Sequence, residues 1–535
     1  MSETPAFQHG LDSPSPFQAP ANAWRLQGWC SAVGASRPPA VRLLCGERIV
    51  AGQTTAQEIH SPPPPCEAPA PVATCRFTLA GSLPPGIHEL RLEASADGSS
   101  WYPLRRLHLA AFPPPPAHIQ DQAPAATLLG GRRPPEQPPP PPRAPHPRRI
   151  LFALYGDMTG NSALHVAALA DSLVARGHEC IVAVPRCAEL AGTHRDPRFR
   201  CVTYADCGER AALFAGGACP DIVHAWTTAE RVRRFATTVA AAAHAKLLVH
   251  LEDNEAAILA SELGLSEAEL DTLPAAELER RVGEDRSHPR RRREFLARAD
   301  ACTVIVDRLA ELVPPGKPVR LIPPGVAPEF FPRPRPAALR TALGLGDNHT
   351  ILFYHGNLHP TNRADMAELH EALVALNAAG TPTTLIRTGR DFCPLPGDLA
   401  QRAAPHLVAL GHIARHDHIA PLLALADIFV QPGAPDSFNN YRFPSKLPEF
   451  FASGRPVVLP RSNLGTRVRH GVDAFVLDRA DAAGIAAAVR TLRADPALAS
   501  RLAAGAAAFA REHFSWDRSA ESLATFYGTI TAVPD

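Results

Sequence analysis

The chain has 535 residues, 45% of them hydrophobic and 20% charged, with a formal net charge of +1. That length exceeds what one hydrophobic core serves and predicts about three domains, while near-neutrality excludes the broad positive field that carries nucleic-acid binding. The 11 cysteines form no CxxC pair and have no histidines at metal-ligand spacing, so they read as reduced, unpaired thiols rather than a zinc site.

Residues 1–21 lack a basic start followed by an apolar run, and read as a disordered N-terminus without a secretory signal. No window approaches the roughly 18 consecutive apolar residues of a spanning helix. The expectation is a cytoplasmic protein, with contact at the inner membrane surface left open.

Residues 22–112 alternate strand-like pieces with turns. In "GIHELRLEAS", His88, Leu90, Leu92 and Ala94 fall on one face and Glu89, Arg91 and Glu93 on the other, the period of a half-buried strand. With "AWRLQGWCSAV" and "VRLLCGERIV" this predicts a small all-β sandwich, in which Trp24, Trp29 and Trp101 belong to the core or to a sugar-stacking face. Residues 113–147 are dominated by proline, whose fixed φ favours extended polyproline conformation, and read as a semi-rigid linker.

From residue 148 the pattern becomes strand, helix, strand, helix. "RRILFALYG" is followed by "NSALHVAALADSLVARGHE", with Leu164, Ala168, Ser172 and Ala175 beside Leu169 and Leu173 at helical spacing and Gly177 as a stop. "CIVAVP", "DIVHAW", "AKLLVHLED", "ACTVIV", "TILFYHGN", "TTLIRTG", "DIFVQPG" and "RPVVLP" continue the alternation, which argues for parallel, doubly wound sheets. Two Rossmann-like units fit, residues 148–335 and 336–512, with 513–535 as a C-terminal crossover helix capped by Ser515. In open α/β sheets ligands sit beyond the carboxyl ends of the strands.

The stretch "PDSFNNYRFPSKLPEFFASGRPVVLP", Pro435 to Pro460, gathers Asp436, Asn439, Asn440, Arg442, Lys446 and Glu449 just before an apolar strand. Ser445 reads as the cap of a helix from Lys446 to about Ser453. Its free amides and Lys446 would suit a phosphate, and Glu449, one turn on, a ribose diol. An ordinary capped helix with a solvated Lys and Glu fits the same pattern. In "FYHGNLHPTNRADMAEL", Gly356 permits close backbone approach and Arg363 opens the next helix, where its guanidinium fork suits a diphosphate. "HLEDNEAAI" places Glu252, Asp253 and Glu255 at another strand end, where they could orient an acceptor hydroxyl or serve as its base. Four arginines at 290–293 offer an anionic-membrane contact or a solvated helix face.

"DIVHAW", "RLIPPGV", "YHGN", "ADIFVQPG" and "FPSKLPEFFASGRPVV", in this order over residues 148–535, resemble a retaining glycosyltransferase of family four and GT-B fold. The resemblance implies that a nucleotide-sugar donor binds mainly to the second Rossmann-like unit and an acceptor, saccharide, lipid-linked or protein, to the first. It implies no metal and no other cofactor. Glu449 matches the family's ribose-binding glutamate, the second of an E-x7-E motif, and Arg363 and Lys446 fall at its donor phosphates. The first glutamate falls at position 441, where this chain has Tyr441; Asp436 is the candidate replacement, with Ser437, Phe438, Asn439 and Asn440 holding the donor sugar. Gly160 is kept from the family's Gly-rich first loop, and His224 matches the first His of its H-x-H acceptor-side motif.

The expected function is transfer of a sugar from a nucleotide diphosphate-sugar to a hydroxyl with retention, in polysaccharide or glycoconjugate synthesis. A GT-B sugar-nucleotide epimerase and a catalytically silent GT-B scaffold with a glycan- or partner-binding sandwich are the alternatives.

Overall fold

The computed structural model describes residues 7–532, apart from 12–17, 21–23, 34–38, 54–56, 59–71, 85, 113–143, 145, 159, 187–196, 337–339, 341–344, 347 and 414–415. Nearly all of the proline-rich segment therefore lies outside the described residues.

Among the described residues the N-terminal region has nine strands: β1 (Phe7–Leu11), β2 (Gln18–Pro20), β3 (Trp24–Val33), β4 (Ala40–Cys45), β5 (Arg48–Gln53), β6 (Gln57–Glu58), β7 (Val72–Gly81), β8 (Gly86–Ser95) and β9 (Tyr102–Phe112). They form two sheets, β1-β3-β7-β6 and β2-β9-β8-β4-β5. Both contribute to one core, with Leu26, Phe77 and Leu79 from the first and Leu43, Leu90, Leu92 and Leu107 from the second. The expectation of disorder over residues 1–21 fails for β1, which pairs antiparallel with β3, and for β2, which pairs with β9. Their edge hydrogen bonds order segments whose composition carries no strand signal. Trp101 is half-buried beneath the Arg42 guanidinium, 4.1 Å from its ring centre, and Trp29 is half-buried.

The first parallel sheet contains β10 (Arg149–Leu154), β11 (Glu179–Val184), β12 (Arg200–Thr203), β13 (Ile222–Trp226), β14 (Lys246–Leu251), β15 (Ala301–Val304) and β16 (Val319–Leu321), in the order β12-β11-β10-β13-β14-β15-β16. The second contains β17 (Thr350–His355), β18 (Thr383–Thr388), β19 (Leu407–Gly411), β20 (Ile428–Val430), β21 (Val457–Pro460) and β22 (Phe475–Leu477), in the order β19-β18-β17-β20-β21-β22. Helices cover both faces, so the central strands are continuous apolar runs rather than alternating ones. Strand order reverses beside β10 and beside β17, and these switch points open crevices at the carboxyl ends of the strands.

Five helices matter below: α1 (Asn161–Ala175), α2 (Pro289–Arg298), α3 (Arg363–Ala378), α4 (Leu447–Ala452) and α5 (Trp516–Thr531). Ser515 caps α5 through the Arg518 amide, and Leu523, Phe526 and Tyr527 share a core with Val166, Leu169 and Leu173 of α1. The chain thus returns from the second parallel unit onto the first. Gly325 permits that crossing, because a Cβ there would lie 2.4 Å from the Trp516 backbone nitrogen.

The arginine run does not face solvent as a bare patch. Arg290 donates to the Leu273 carbonyl, Arg291 pairs with Glu279 and Glu230, and Arg293 pairs with Asp271. Among the described residues no helix is long and apolar enough to cross a membrane.

Candidate functional site

α4 is only six residues long and Lys446, not Ser445, occupies its N-cap, without a side-chain cap hydrogen bond. The expected helix from Lys446 capped by Ser445 is corrected accordingly. Pro448 in the first turn also removes one of the free N–H groups an anion would use. Charge at this place comes from side chains. Lys446 Nζ donates to Gln431 Oε1 at 3.2 Å and stands 4.6 Å over the Tyr354 ring. Burial, with the neighbouring Arg442 cation, pulls its pKa down to about 7. Gly356 has φ +144°, and a Cβ there would meet Lys446 Cε at 3.1 Å, so glycine lets this lysine lie against the end of β17.

Glu449 lies one turn into α4 and is buried. His416 Nε2 is 2.7 Å from its Oε1, while Oε2 has no hydrogen-bond partner among the described residues. Burial works against a charged His416, yet the Glu449 carboxylate outweighs it and raises the pKa. His355, at the end of β17, is lowered to about 4 by burial and bonds Thr388 through Nδ1 at 2.7 Å. Ser445, Glu449, His355 and His416 line one side of a cavity of about 780 Å³. Asn161, Leu164 and His165 of α1, with Trp516, line the other, so the cavity lies between the two parallel units.

The loop before α4 is held from within. Asp436 Oδ1 accepts from the Phe438 and Asn439 amides, and its Oδ2 lies 3.2 Å from Asn439 Nδ2. The structure therefore gives Asp436, the proposed stand-in for the missing glutamate, the job of shaping this loop. Asn439 is buried and also reaches Asp365 of α3, while Asn463 Nδ2 donates to its carbonyl. Ser437 is exposed, and its carbonyl lies 3.5 Å from Asn254 Nδ2 of the first unit. Asn440 lines a separate apolar pocket of about 140 Å³ with Ile305, Phe443 and Phe514. Tyr441 turns away from α4 and its hydroxyl donates to Glu311 at 2.7 Å. Arg442 turns inward, 12% exposed, with its guanidinium 4.3 Å over Phe438 and Nη2 3.5 Å from Asp365.

Arg363 opens α3 on the rim, exposed, and donates through Nε to the Pro394 carbonyl at 2.9 Å. Gly160 is the N-cap of α1, with open space where a Cβ would stand. Beyond β14, Glu252 receives Trp226 Nε1 at 2.8 Å and the Ser162 hydroxyl, with His165 Nδ1 3.6 Å away. Burial opposes its charge, but His165 and Ser162 hold its pKa at about 2. Burial and the adjoining Glu252 charge push Asp253 up to about 7, against the pull of Arg442. Glu255 rises to about 8 through burial and Asp253, which Arg292 partly offsets. The acidic loop of the first unit thus approaches the Asp436–Arg442 loop of the second.

His224 is a correction. It is 1% exposed, with Nδ1 2.7 Å from the Tyr527 hydroxyl and Nε2 2.9 Å from Thr303 Oγ1. Burial drives its pKa well below the usual value. Both nitrogens are spent joining β13, β15 and α5, so His224 pins the crossover helix and does not reach the cleft.

Sequence reasoning missed His416, His165, Asp365 and the inward turn of Arg442. The histidine-rich "HIARHDH" after the β19 strand end and the arginine inside the polar run were the available signals.

Residues 349–495 match the family model described as glycosyl transferases group 1. They form a glycosyl transferases group 1 domain. The group 1 domain contains Gly356, Arg363, Arg442, Lys446 and Glu449, and the cavity opens against it. A D-inositol 3-phosphate glycosyltransferase of Thermobispora bispora is 30% identical over 224 residues, 40% of this chain and 51% of that protein. A GDP-mannose-dependent alpha-(1-6)-phosphatidylinositol dimannoside mannosyltransferase of Mycobacterium tuberculosis is 30% identical over 202 residues, 38% of this chain and 49% of that protein. The chain spans about half the length of the curated relatives it matches. Among solved structures, Anabaena HepE in complex with UDP and glucose superposes with TM-score 0.53 at 18% identity, covering 71% of this chain and 100% of that one. Sucrose-phosphate synthase from Thermosynechococcus elongatus does so with TM-score 0.54 at 17% identity, covering 72% and 99%. These likenesses show the fold: the two parallel units around the group 1 domain form a GT-B fold.

Proposed function

We propose that the protein is a retaining glycosyltransferase that moves a sugar from a nucleoside diphosphate donor to an acceptor hydroxyl. The observation that carries this reading is Glu449. A buried carboxylate oxygen without a partner is costly, and a ribose diol supplies the hydroxyl donors it lacks. Lys446 lies within one helical turn of it, the right side for the attached phosphates. The names of similar proteins, which include a complex with UDP and glucose and a GDP-mannose-dependent enzyme, support a nucleotide-sugar donor.

In this reading the leaving diphosphate gathers negative charge in an oxocarbenium-like, front-face transition state, and Lys446 with the rim Arg363 stabilises it. Asp253, whose pKa stands near neutrality, orients the acceptor hydroxyl across the cleft. No metal is assigned a step, so turnover in the presence of a chelator should equal turnover without it. The acceptor is a saccharide, a lipid-linked sugar or a protein, and the reaction belongs to polysaccharide or glycoconjugate synthesis in the cytoplasm or at the membrane surface.

A second reading, a catalytically silent GT-B scaffold with a glycan- or partner-binding sandwich, is favoured by Tyr441, which stands where the family resemblance leads one to expect the first glutamate. Calorimetric titration of UDP, GDP and ADP into wild type and Glu449→Ala tests the donor site. Binding of one nucleotide, lost in the variant, is expected; binding of none sinks the proposal. Release of nucleoside diphosphate from the matching sugar donor then separates transferase from scaffold.

A further inference from the structure

Two cations lie near each other beside the loop before α4, and only one of them belongs to the motif that suggested a donor site. Lys446 has Gln431 as its hydrogen-bond acceptor and the Tyr354 ring beneath it. Arg442 stacks on Phe438, shares Asp365 with Asn439 at 3.5 Å, and keeps a buried Nε–H with no partner among the described residues. The other charged or titratable groups that interact with this pair include Asp365 on α3, Tyr354 and His355 at the end of β17, Asp253 on the first unit, His359, and Glu449 on α4. Asp365 lies 3.5 Å from Arg442 Nη2 and is shared with Asn439, and burial raises its pKa against the pull of Arg442. A buried guanidinium N–H without an acceptor is costly, and an anionic ligand would supply one.

Asn357, next to Gly356, has its side-chain oxygen committed to the Arg390 amide at 2.8 Å. Arg363 sits on the rim. Arg387 is buried but paired with Asp391, and the cation that acts on Lys446 comes from the loop, at the residue following Tyr441.

We propose that Arg442 binds the donor's diphosphate opposite Lys446, so that a guanidinium fork and an ammonium grip it from two sides. The fork supplies two parallel N–H donors to phosphate oxygens, which a lysine cannot reproduce. This rests on the glycosyltransferase reading above and adds a residue to its donor site.

The test is calorimetry, with ligand-observed NMR for weak binding, of UDP, GDP and ADP and of the three parent nucleosides. Wild type, Arg442→Ala and Arg442→Lys are compared. For the base that binds, Arg442→Ala should lose at least about tenfold in diphosphate affinity with nucleoside affinity unchanged, and Arg442→Lys should recover part of the loss. Unchanged diphosphate affinity in Arg442→Ala overturns the inference and leaves the glycosyltransferase reading intact. Equal losses for nucleoside and diphosphate also overturn it, because they assign Arg442 only the shaping of its loop. A wild type that binds no diphosphate overturns both readings.

Discussion

The Tyr441 hydroxyl donates to Glu311 at 2.7 Å, joining the loop before α4 to the segment after β15 in the other parallel unit. Arg308 adds its guanidinium 5.4 Å from the same ring. The position where the family resemblance leads one to expect a glutamate is here a strap between domains. Tyr441→Phe removes one exposed hydrogen bond, worth roughly 0.5–1 kcal/mol. Nucleotide affinity should therefore stay within about threefold of wild type by calorimetry, and a larger fall would show that Tyr441 faces the donor.

Glu449→Ala removes the carboxylate that Oε2 offers to a ligand. Loss of a charge-assisted hydrogen bond of about 1.5–3 kcal/mol corresponds to roughly 10- to 100-fold weaker binding of the nucleoside diphosphate. The same change frees His416 from the group that raises its pKa, which an NMR titration of its ring protons should report as a fall. A His416 pKa that does not move would remove Glu449 as its partner.

Lys446 carries the pH dependence of donor binding. With a pKa near 7 in the free protein it is partly neutral, and an anionic ligand favours its charged form. Asp253, also near 7, turns negative over the same range and acts in the same direction. Affinity should fall as pH rises through 7, with net proton uptake on binding. Titrations in buffers of different ionisation enthalpy measure that uptake, and Lys446→Gln should reduce it.

His224→Leu should cost about 2–4 kcal/mol, because Tyr527 and Thr303 each lose a buried partner. Donor affinity at temperatures where the variant is folded should not change. Both His224 and His250, the latter held at about 3, are neutral when folded, whereas the unfolded chain takes up their protons below about 6.5. Their neutral burial costs nothing above that pH and destabilises progressively as pH falls below it. Denaturant midpoints should therefore drop between pH 6.5 and 4, and less steeply in His224→Leu.

Removal of residues 1–147 leaves the two parallel units and every residue assigned to the donor. Nucleoside diphosphate affinity should remain within about threefold of the full chain; a folded truncation that fails to bind would place part of the site in the sandwich.

The parallel units were legible because strands buried on both faces read as continuous apolar runs and their helices as 3.6-residue periods, both local properties. The closeness of Lys446 and Glu449 was legible for a similar reason, since they stand at the N-cap and in the first turn of one short helix. His224 was not. A histidine ending an apolar strand has the same local pattern whether it meets a ligand or a core partner, and its partner Tyr527 lies 303 residues away.

The sequence by itself determined the alternation that builds two Rossmann-like units and the segment that places a lysine and a glutamate at a strand end. Only the tertiary structure decided the direction of each polar side chain in the Asp436–Arg442 loop. Asp436 turned onto its own amides, Tyr441 across to Glu311 and Arg442 inward, because contacts with Asp365, Asn463 and Glu311 come from segments far along the chain. Periodicity reports how much of a residue is buried, whereas long-range packing selects what it is buried against.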